Sequence, residues 1–241
     1  MEDLSRALYI AKKDIKEYYM KPATMSWGII FPASFALAFA IKSGGRLGEL
    51  APGLIALALF FGSTSMSAAS IVFERKIGSF ERLLLFPVSY ITIALGKTLS
   101  SFLFGVLSSA VTLAIILPLA SASLLHPWLL LGYVLLSTFM FSSFGVLVSY
   151  LLKDPSQTMT VFNAIRFPMI FLSGIFVPLK EMPLIIRVIS LALPLTYSVE
   201  AMRYSLRGAA YISPWVSLSV MIFLSVAFLL LTAYEIRRSI P

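Results

Sequence analysis

Glu74-Arg75-Lys76-Ile77-Gly78-Ser79-Phe80-Glu81-Arg82-Leu83-Leu84-Leu85-Phe86-Pro87 is a dense run of charge in a chain that is otherwise mostly hydrocarbon. Ile77, Phe80 and Leu84 fall at i, i+3 and i+7, one face of a helix, with Arg75, Glu81 and Arg82 elsewhere around the cylinder. Pro87 ends that face and can sit in the first turn of the helix that follows. The chemistry this stretch suits is recognition: a short amphipathic helix between two membrane spans is a docking surface for a soluble partner. An ordinary polar loop carrying orientation charges has the same composition. The second candidate is Arg166, in Phe162-Asn163-Ala164-Ile165-Arg166-Phe167-Pro168. If its apolar segment starts near Thr158, the guanidinium lies about 12 Å into the bilayer at the helical rise. A charge at that depth is costly and tends to face a bundle interior or an aqueous cavity; the alternative is that it snorkels to the interface. Pro168 can kink the segment, with Asn163 nearby to hydrogen-bond the freed backbone.

Other chemistry is missing. There is no GxxxxGK[ST] phosphate loop, so ATP hydrolysis by that route is not expected, and no HExxH, GxSxG or kinase set. The eleven acidic residues sit almost entirely at the edges of apolar segments, whereas ion-coupled transporters keep ionisable groups near the midplane. The chain has no cysteine, which excludes disulfides, thiolate metal sites and cysteine nucleophiles. The single histidine, His126, has no ligand-spaced partner and reads as a loop residue rather than a metal ligand. No cluster of catalytic groups points to a membrane-embedded enzyme, and no basic-aromatic module points to nucleic acid.

The elements that carry these residues follow from composition. Of 241 residues 59% are hydrophobic and 12% charged, against about half and a quarter for a soluble domain. The expected fold class is therefore an all-α polytopic membrane protein, a single transmembrane domain over 1–241. Six apolar segments are long enough for a span of roughly 20 residues: Pro22–Ile41, Pro52–Val72, Thr98–Leu119, Trp128–Leu152, Thr158–Val177 and Trp215–Tyr234. The second is rich in small residues from Gly62 to Ser70, which predicts packing on protein rather than lipid. Residues 1–21 lack the apolar stretch of a signal peptide. They carry Leu4, Leu8, Ala11, Ile15 and Tyr18 or Tyr19 on one face, which predicts an amphipathic helix lying at the membrane surface, a solvated leader being the alternative. Residues 178–213 hold Pro183–Leu195, apolar but too short to span and interrupted at Pro194, then Leu195–Gly208 with Glu200, Arg203 and Arg207 at helical spacing, which predicts two short re-entrant helices, a plain surface hairpin being the alternative. With the N-terminus placed in the cytosol, the inner segments hold twelve Lys and Arg and the outer ones six, Arg166 being the nineteenth. That bias predicts a multi-pass protein of the plasma membrane with both termini and the 74–87 stretch cytosolic, and the net charge of +8 suits contact with anionic lipid.

In this order the residues resemble the ABC-2 type transporter permeases, the membrane subunits of ABC exporters. Glu74, Gly78, Glu81, Leu83 and Pro87 resemble the family's E-x-x-x-G-x-x-E-x-L-x-x-x-P pattern, with Ser79 and Phe80 standing where Thr and an aliphatic residue are usual. Phe171-Leu172-Ser173-Gly174 through Pro178 and Pro183 resembles the passage into the outer re-entrant helices, and Pro194-Leu195-Thr196-Tyr197 with Met202–Gly208 resembles its end. The resemblance covers nearly the whole chain. It implies that residues 74–87 form a cytosolic coupling helix, with Glu74, Gly78, Phe80, Glu81, Leu83 and Pro87 meeting an ABC ATPase subunit. It also implies that ATP and Mg bind that partner and no cofactor binds this chain. A second permease copy or a related permease would enclose the pathway, with Arg166 and Asn163 as its polar candidates. A hydrophobic or amphipathic substrate is the expected cargo, and lipids the remaining partners. The alternative is a self-contained channel or ion-coupled transporter; it would show intramembrane carboxylates or an interrupted internal repeat, and neither is evident.

Overall fold

The computed structural model describes residues 2–42, 47–84, 86, 88–120, 125–152 and 154–238. Among them every regular element is helical. α1 (Glu2–Tyr18) precedes a span in which α2 (Pro22–Met25), a π-helical turn (Ser26–Ile30) and α3 (Phe31–Lys42) run on from one another. Proline explains the irregular turn: Pro32 has no N–H for the carbonyl of Gly28 four residues back. That carbonyl accepts a hydrogen bond from Ser108 Oγ instead. There follow α4 (Leu47–Lys76), α5 (Ser79–Leu84), α6 (Tyr90–Ala120), α7 (Pro127–Leu151) and α8 (Pro155–Leu172). After these come a 3₁₀ turn (Leu179–Glu181), α9 (Leu184–Leu191), α10 (Pro194–Arg207) and α11 (Pro214–Arg238).

α4 is the axis. Nearly its whole length is buried inside the protein, whereas the Pro22–Lys42 span and α11 are mostly peripheral. Its small-residue stretch Gly62–Ser70 is fully covered, as the sequence predicts. The reason is close approach: a Cβ on Gly62 would meet Ser108 Cβ at 2.6 Å and Gly105 Cα at 3.1 Å, and one on Gly145 would meet Thr64 Cα at 3.1 Å. α6 and α7 therefore lie backbone to backbone with α4. The hydroxyls satisfy themselves mainly within their own helices, Thr64 on Phe60 O, Ser67 on Ser63 O, Ser149 on Gly145 O.

Among the described residues five helices are long and apolar enough to cross a membrane: Pro22–Lys42, Leu47–Lys76, Tyr90–Leu119, Pro127–Leu151 and Pro214–Arg238. The sequence predicts a sixth span at Thr158–Val177. Its helix is α8, which ends earlier, because Gly174 turns the chain at φ 83°. α8 has 18 residues, about 27 Å of helix, and Asn163 and Arg166 lower its hydropathy. It nonetheless runs antiparallel to α4 along the depth of the bundle. Arg75 bonds Leu152 O just before α8 begins, Arg166 meets Thr64 and Ser65, and Ile175 beyond its end packs on Gly53. The two short helices expected in this region are α9 and α10, bent by 95° against each other and ended by left-handed Gly208. Glu200 ties α10 to the chain beyond it, accepting from the backbone N–H groups of Tyr211 and Ile212 and from Arg203. α11 returns to the end of the bundle that holds α1, where Ile236, Ile10, Phe80, Ile93 and Tyr150 share one cluster. We call this end basal and the α9–α10 end apical.

Candidate functional site at the base of the bundle

The charged stretch does not form one helix from 74 to 87. Glu74, Arg75 and Lys76 are the last turn of α4, and Gly78, at φ 68° with open space where a Cβ would stand, reverses the chain. Only Ser79–Leu84 is a separate helix, α5. Ile77 and Phe80, which their spacing puts on one face, part company: Ile77 is exposed and Phe80 is buried. Phe80 packs at 5.8 Å from the Tyr150 ring and Leu83 leans on the same cluster, so α5 is pinned to the bundle through its apolar side. Glu81 lies within α5; Pro87 falls outside the described residues, as do Lys153 and Arg46 of the charge tally.

Glu74 does not point outward. Its carboxylate is fully buried and receives Lys97 Nζ at 2.5 Å, with Lys13 Nζ on its other oxygen. Lys97 also donates to both oxygens of Asp14, at 3.0 and 2.9 Å, and Ser100 Oγ reaches Asp14 at 3.3 Å. Two cations and two anions thus close a neutral cluster joining α1, the end of α4 and the start of α6, the arrangement that lets buried charge persist. Burial pushes the Asp14 carboxyl up to about 6, against the pull of Lys97. Arg75 is likewise spent internally: it donates to Ser149 O, Tyr150 O and Leu152 O and lies over the Tyr150 and Phe80 rings. It caps the end of α7.

The cluster also places α1. Its buried stripe is Ala7, Ile10, Ala11, Asp14 and Tyr18, packed on Gly96 of α6, while Leu4 and Leu8 remain exposed. Of the face expected from Leu4, Leu8, Ala11, Ile15 and Tyr18 or Tyr19, Ala11 and Tyr18 join this stripe, which Asp14 completes by reaching Lys97, and Leu4 and Leu8 are left open. What the base leaves open is a tip of Lys76, Ile77, Arg82 and Phe86. A cleft of about 240 Å³ lined by Glu17, Tyr18, Lys21, Phe73 and Ile77 adjoins it.

The second candidate lies at mid-depth. Arg166 is fully buried and does not snorkel. Its Nε and Nη2 donate to Thr64 Oγ1 at 3.0 and 2.7 Å and Nη2 to Ser65 Oγ at 3.1 Å, with the Phe61 and Phe162 rings 4.8 and 5.0 Å from the guanidinium. Its Nη1 and the Oδ1 of Asn163, one turn away, have no hydrogen-bond partner among the described residues. Among the described residues no group of His, Asp and Glu is arranged to hold a metal ion.

Sequence reasoning counts Lys97 and Lys13 as orientation charges and gives Asp14 no role. Pairing across 83 and 23 residues leaves no local signal. The one unusual feature open to inspection is a lysine seven residues inside the helix that begins at Tyr90.

Comparison with known proteins places the same residues in context. The sequence profile described as ABC-2 type transporter matches residues 6–206. The chain is 27% identical over 202 residues to the transport permease ycf38 of Cyanophora paradoxa, covering 76% of this chain and 68% of that one. It is 25% identical over 182 residues to the inner membrane transport permease YhhJ of Escherichia coli strain K12, covering 73% of this chain and 48% of the relative, about half its length.

Proposed function

Because the chain belongs to the ABC-2 type transporter family, a family of membrane components of transport systems, we propose that it is the permease of an ATP-driven exporter. A separate ABC ATPase subunit docks on the Lys76–Phe86 tip, and ATP and Mg bind that subunit. The observation that carries this reading is the build of the tip. α5 is fastened to the bundle by Phe80 while Ile77, Arg82 and Phe86 stay exposed beside a cleft, so it offers apolar and basic groups to a partner on a rigid mount. The base is then cytosolic, in keeping with the excess of Lys and Arg on that side, and the protein sits in the plasma membrane with both termini inside.

In this mechanism closure of the ATPase pair pushes α5. Phe80 passes the push to Tyr150 and Arg75, hence to α7 and α4, while the Asp14–Lys97–Glu74–Lys13 cluster makes α1 and α6 follow. The helices tilt as one body, a rigid-body switch of access. Two permease copies, identical or related, enclose the pathway. Arg166 and Asn163 supply its polar groups at mid-depth, in an otherwise apolar, hydroxyl-lined interior that suits a hydrophobic or amphipathic cargo.

Glu81→Lys tests the docking role. The variant should reach the membrane at normal levels and lose both export and co-purification of a phosphate-loop ATPase. A variant that exports normally, or a wild-type chain that purifies alone and moves solute in ATP-free liposomes, would overturn the reading.

A further inference from the structure

At the apical end a cleft of about 360 Å³ opens between the Pro178–Lys180 turn and the last turns of α10. Lys180, Arg203 and Arg207 line it, and no acidic side chain does. The carboxylate on the same helix, Glu200, is buried and already engaged with Arg203 and two backbone N–H groups. Arg207 has Glu49 at 3.9 Å, with both side chains about half exposed or more, a pairing that contributes little. Lys180 is exposed and makes no ion pair among the described residues. The turn that carries it is fixed in place, because the Arg187 guanidinium donates to the carbonyls of Leu179, Lys180 and Met182. Arg203 is balanced by Glu200, so the positive potential concentrated at this concavity comes from Lys180 and the weakly paired Arg207, which repel each other. An oxyanion relieves that repulsion, and arginine forks match the geometry of a phosphate group.

We propose that this cleft is a binding site for a phosphate-bearing group, either the headgroup of a membrane phospholipid or a soluble phosphoester, with Lys180 and Arg207 as the mobile contacts and Arg203 as the fixed one. The site is separate from the basal docking surface, and its test uses binding rather than export, so either can fail alone. The purified protein in detergent would be titrated with phosphatidylglycerol, phosphatidylcholine and inorganic phosphate and read by native mass spectrometry. The comparison is between wild type and Lys180→Ala/Arg207→Ala. Arg203 is left intact because it also holds Glu200 and the Gly174 carbonyl. At about fivefold per surface cation, the double variant should bind phosphatidylglycerol roughly 25-fold more weakly. Lys180→Arg/Arg207→Lys should keep most of the affinity. Competition by inorganic phosphate would identify a soluble phosphoester as the ligand; retention of phosphatidylglycerol against it would identify the headgroup. Equal binding by wild type and the double alanine variant would overturn the proposal, and so would an equal loss from Arg237→Ala/Arg238→Ala at the far end of the bundle.

Discussion

Lys97→Met is the sharpest test of the basal cluster. The ammonium is 1% exposed and lies between Asp14, at 2.9 Å, and Glu74, at 2.5 Å. Its loss leaves Glu74 with Lys13, but leaves Asp14 with a single hydroxyl contact, from Ser100. Breaking a buried pair by removing one partner costs about 3–5 kcal/mol. At roughly 2–4 °C per kcal/mol for a chain of this size, the melting point in detergent should fall by about 6–20 °C. Asp14 has one escape, which is to take a proton. Its carboxyl is already raised to about 6 in the intact cluster, and without Lys97 it rises further, so lowering the pH from 8 to 6 should recover part of the loss. Replacing all three charges, in Lys97→Met/Asp14→Asn/Glu74→Gln, should restore more than half of it, since no buried charge then lacks a partner and the part-exposed Lys13 keeps Glu17 at 3.8 Å. The assay is thermal unfolding followed by tryptophan fluorescence at both pH values. A Lys97→Met melting point within about 2 °C of wild type, less than a single kcal/mol, would refute the claim that the cluster is buried and mutually dependent.

Three further outcomes are expected. Asp14→Asn should change the pH dependence of stability. A carboxyl raised above its unfolded value of 3.8 to about 6 favours the fold when protonated; with Lys97, Glu74 and Lys13 facing it, its contribution is full below about 4 and is lost as pH rises through 6. Melting points of the wild type and of the Asp14→Asn variant, measured from pH 4 to 8, should therefore diverge over that window and run parallel above it; parallel curves throughout would remove Asp14 as the titrating group. Gly62→Val forces a side chain onto Ser108 and Gly105 of α6 and should cost about 1–3 kcal/mol, seen as a lower melting point; no change would mean the α4–α6 approach is looser than described. Arg166→Leu leaves no acid unpaired, so it should fold with a loss below about 2 kcal/mol while export falls; unfolding without it would mark the guanidinium as structural only.

The sequence carried the spans wherever hydropathy was uninterrupted. Trp128–Leu152 and Trp215–Tyr234 match α7 and α11 within a few residues. It failed where a charge was neutralised from afar. Lys97 looks like the edge of a span, yet α6 starts at Tyr90, because Asp14 and Glu74 absorb the charge inside the helix. The same blindness hid the role of Asp14. Around residue 78 the periodicity of Ile77, Phe80 and Leu84 suggests a continuous helix; glycine in the left-handed region breaks it, and apolar spacing cannot report φ. By contrast Gly62–Ser70 was legible, since small residues at a helix surface have a single physical use, the close approach of another backbone.

These contacts constrain how such a bundle can move. The last turn of α4 carries Glu74 and Arg75 side by side: one is locked to α1 and α6, the other to the end of α7. α5 rests on the same α7 end through Tyr150. A displacement of α5 therefore cannot move one helix alone at the base. Higher up, α8 meets α4 through the hydrogen bonds of Arg166 to Thr64 and Ser65, hydroxyls on a run that continues with Ser67 and Ser70. Hydrogen bonds to neutral hydroxyls are weaker than a carboxylate pair, and a neighbouring hydroxyl could accept the same guanidinium after a small shift. Ser63 Oγ, buried without a partner among the described residues, is one such acceptor. The firm joints are basal and the exchangeable one is at mid-depth, so sliding between α4 and α8 is where tilting of the base would be taken up. Disulfide trapping across that seam, with cysteines introduced at Gly53 and Ile175, whose backbones approach closely, should then block export reversibly while leaving ATPase docking intact; export unaffected by a fully formed crosslink would place the motion elsewhere.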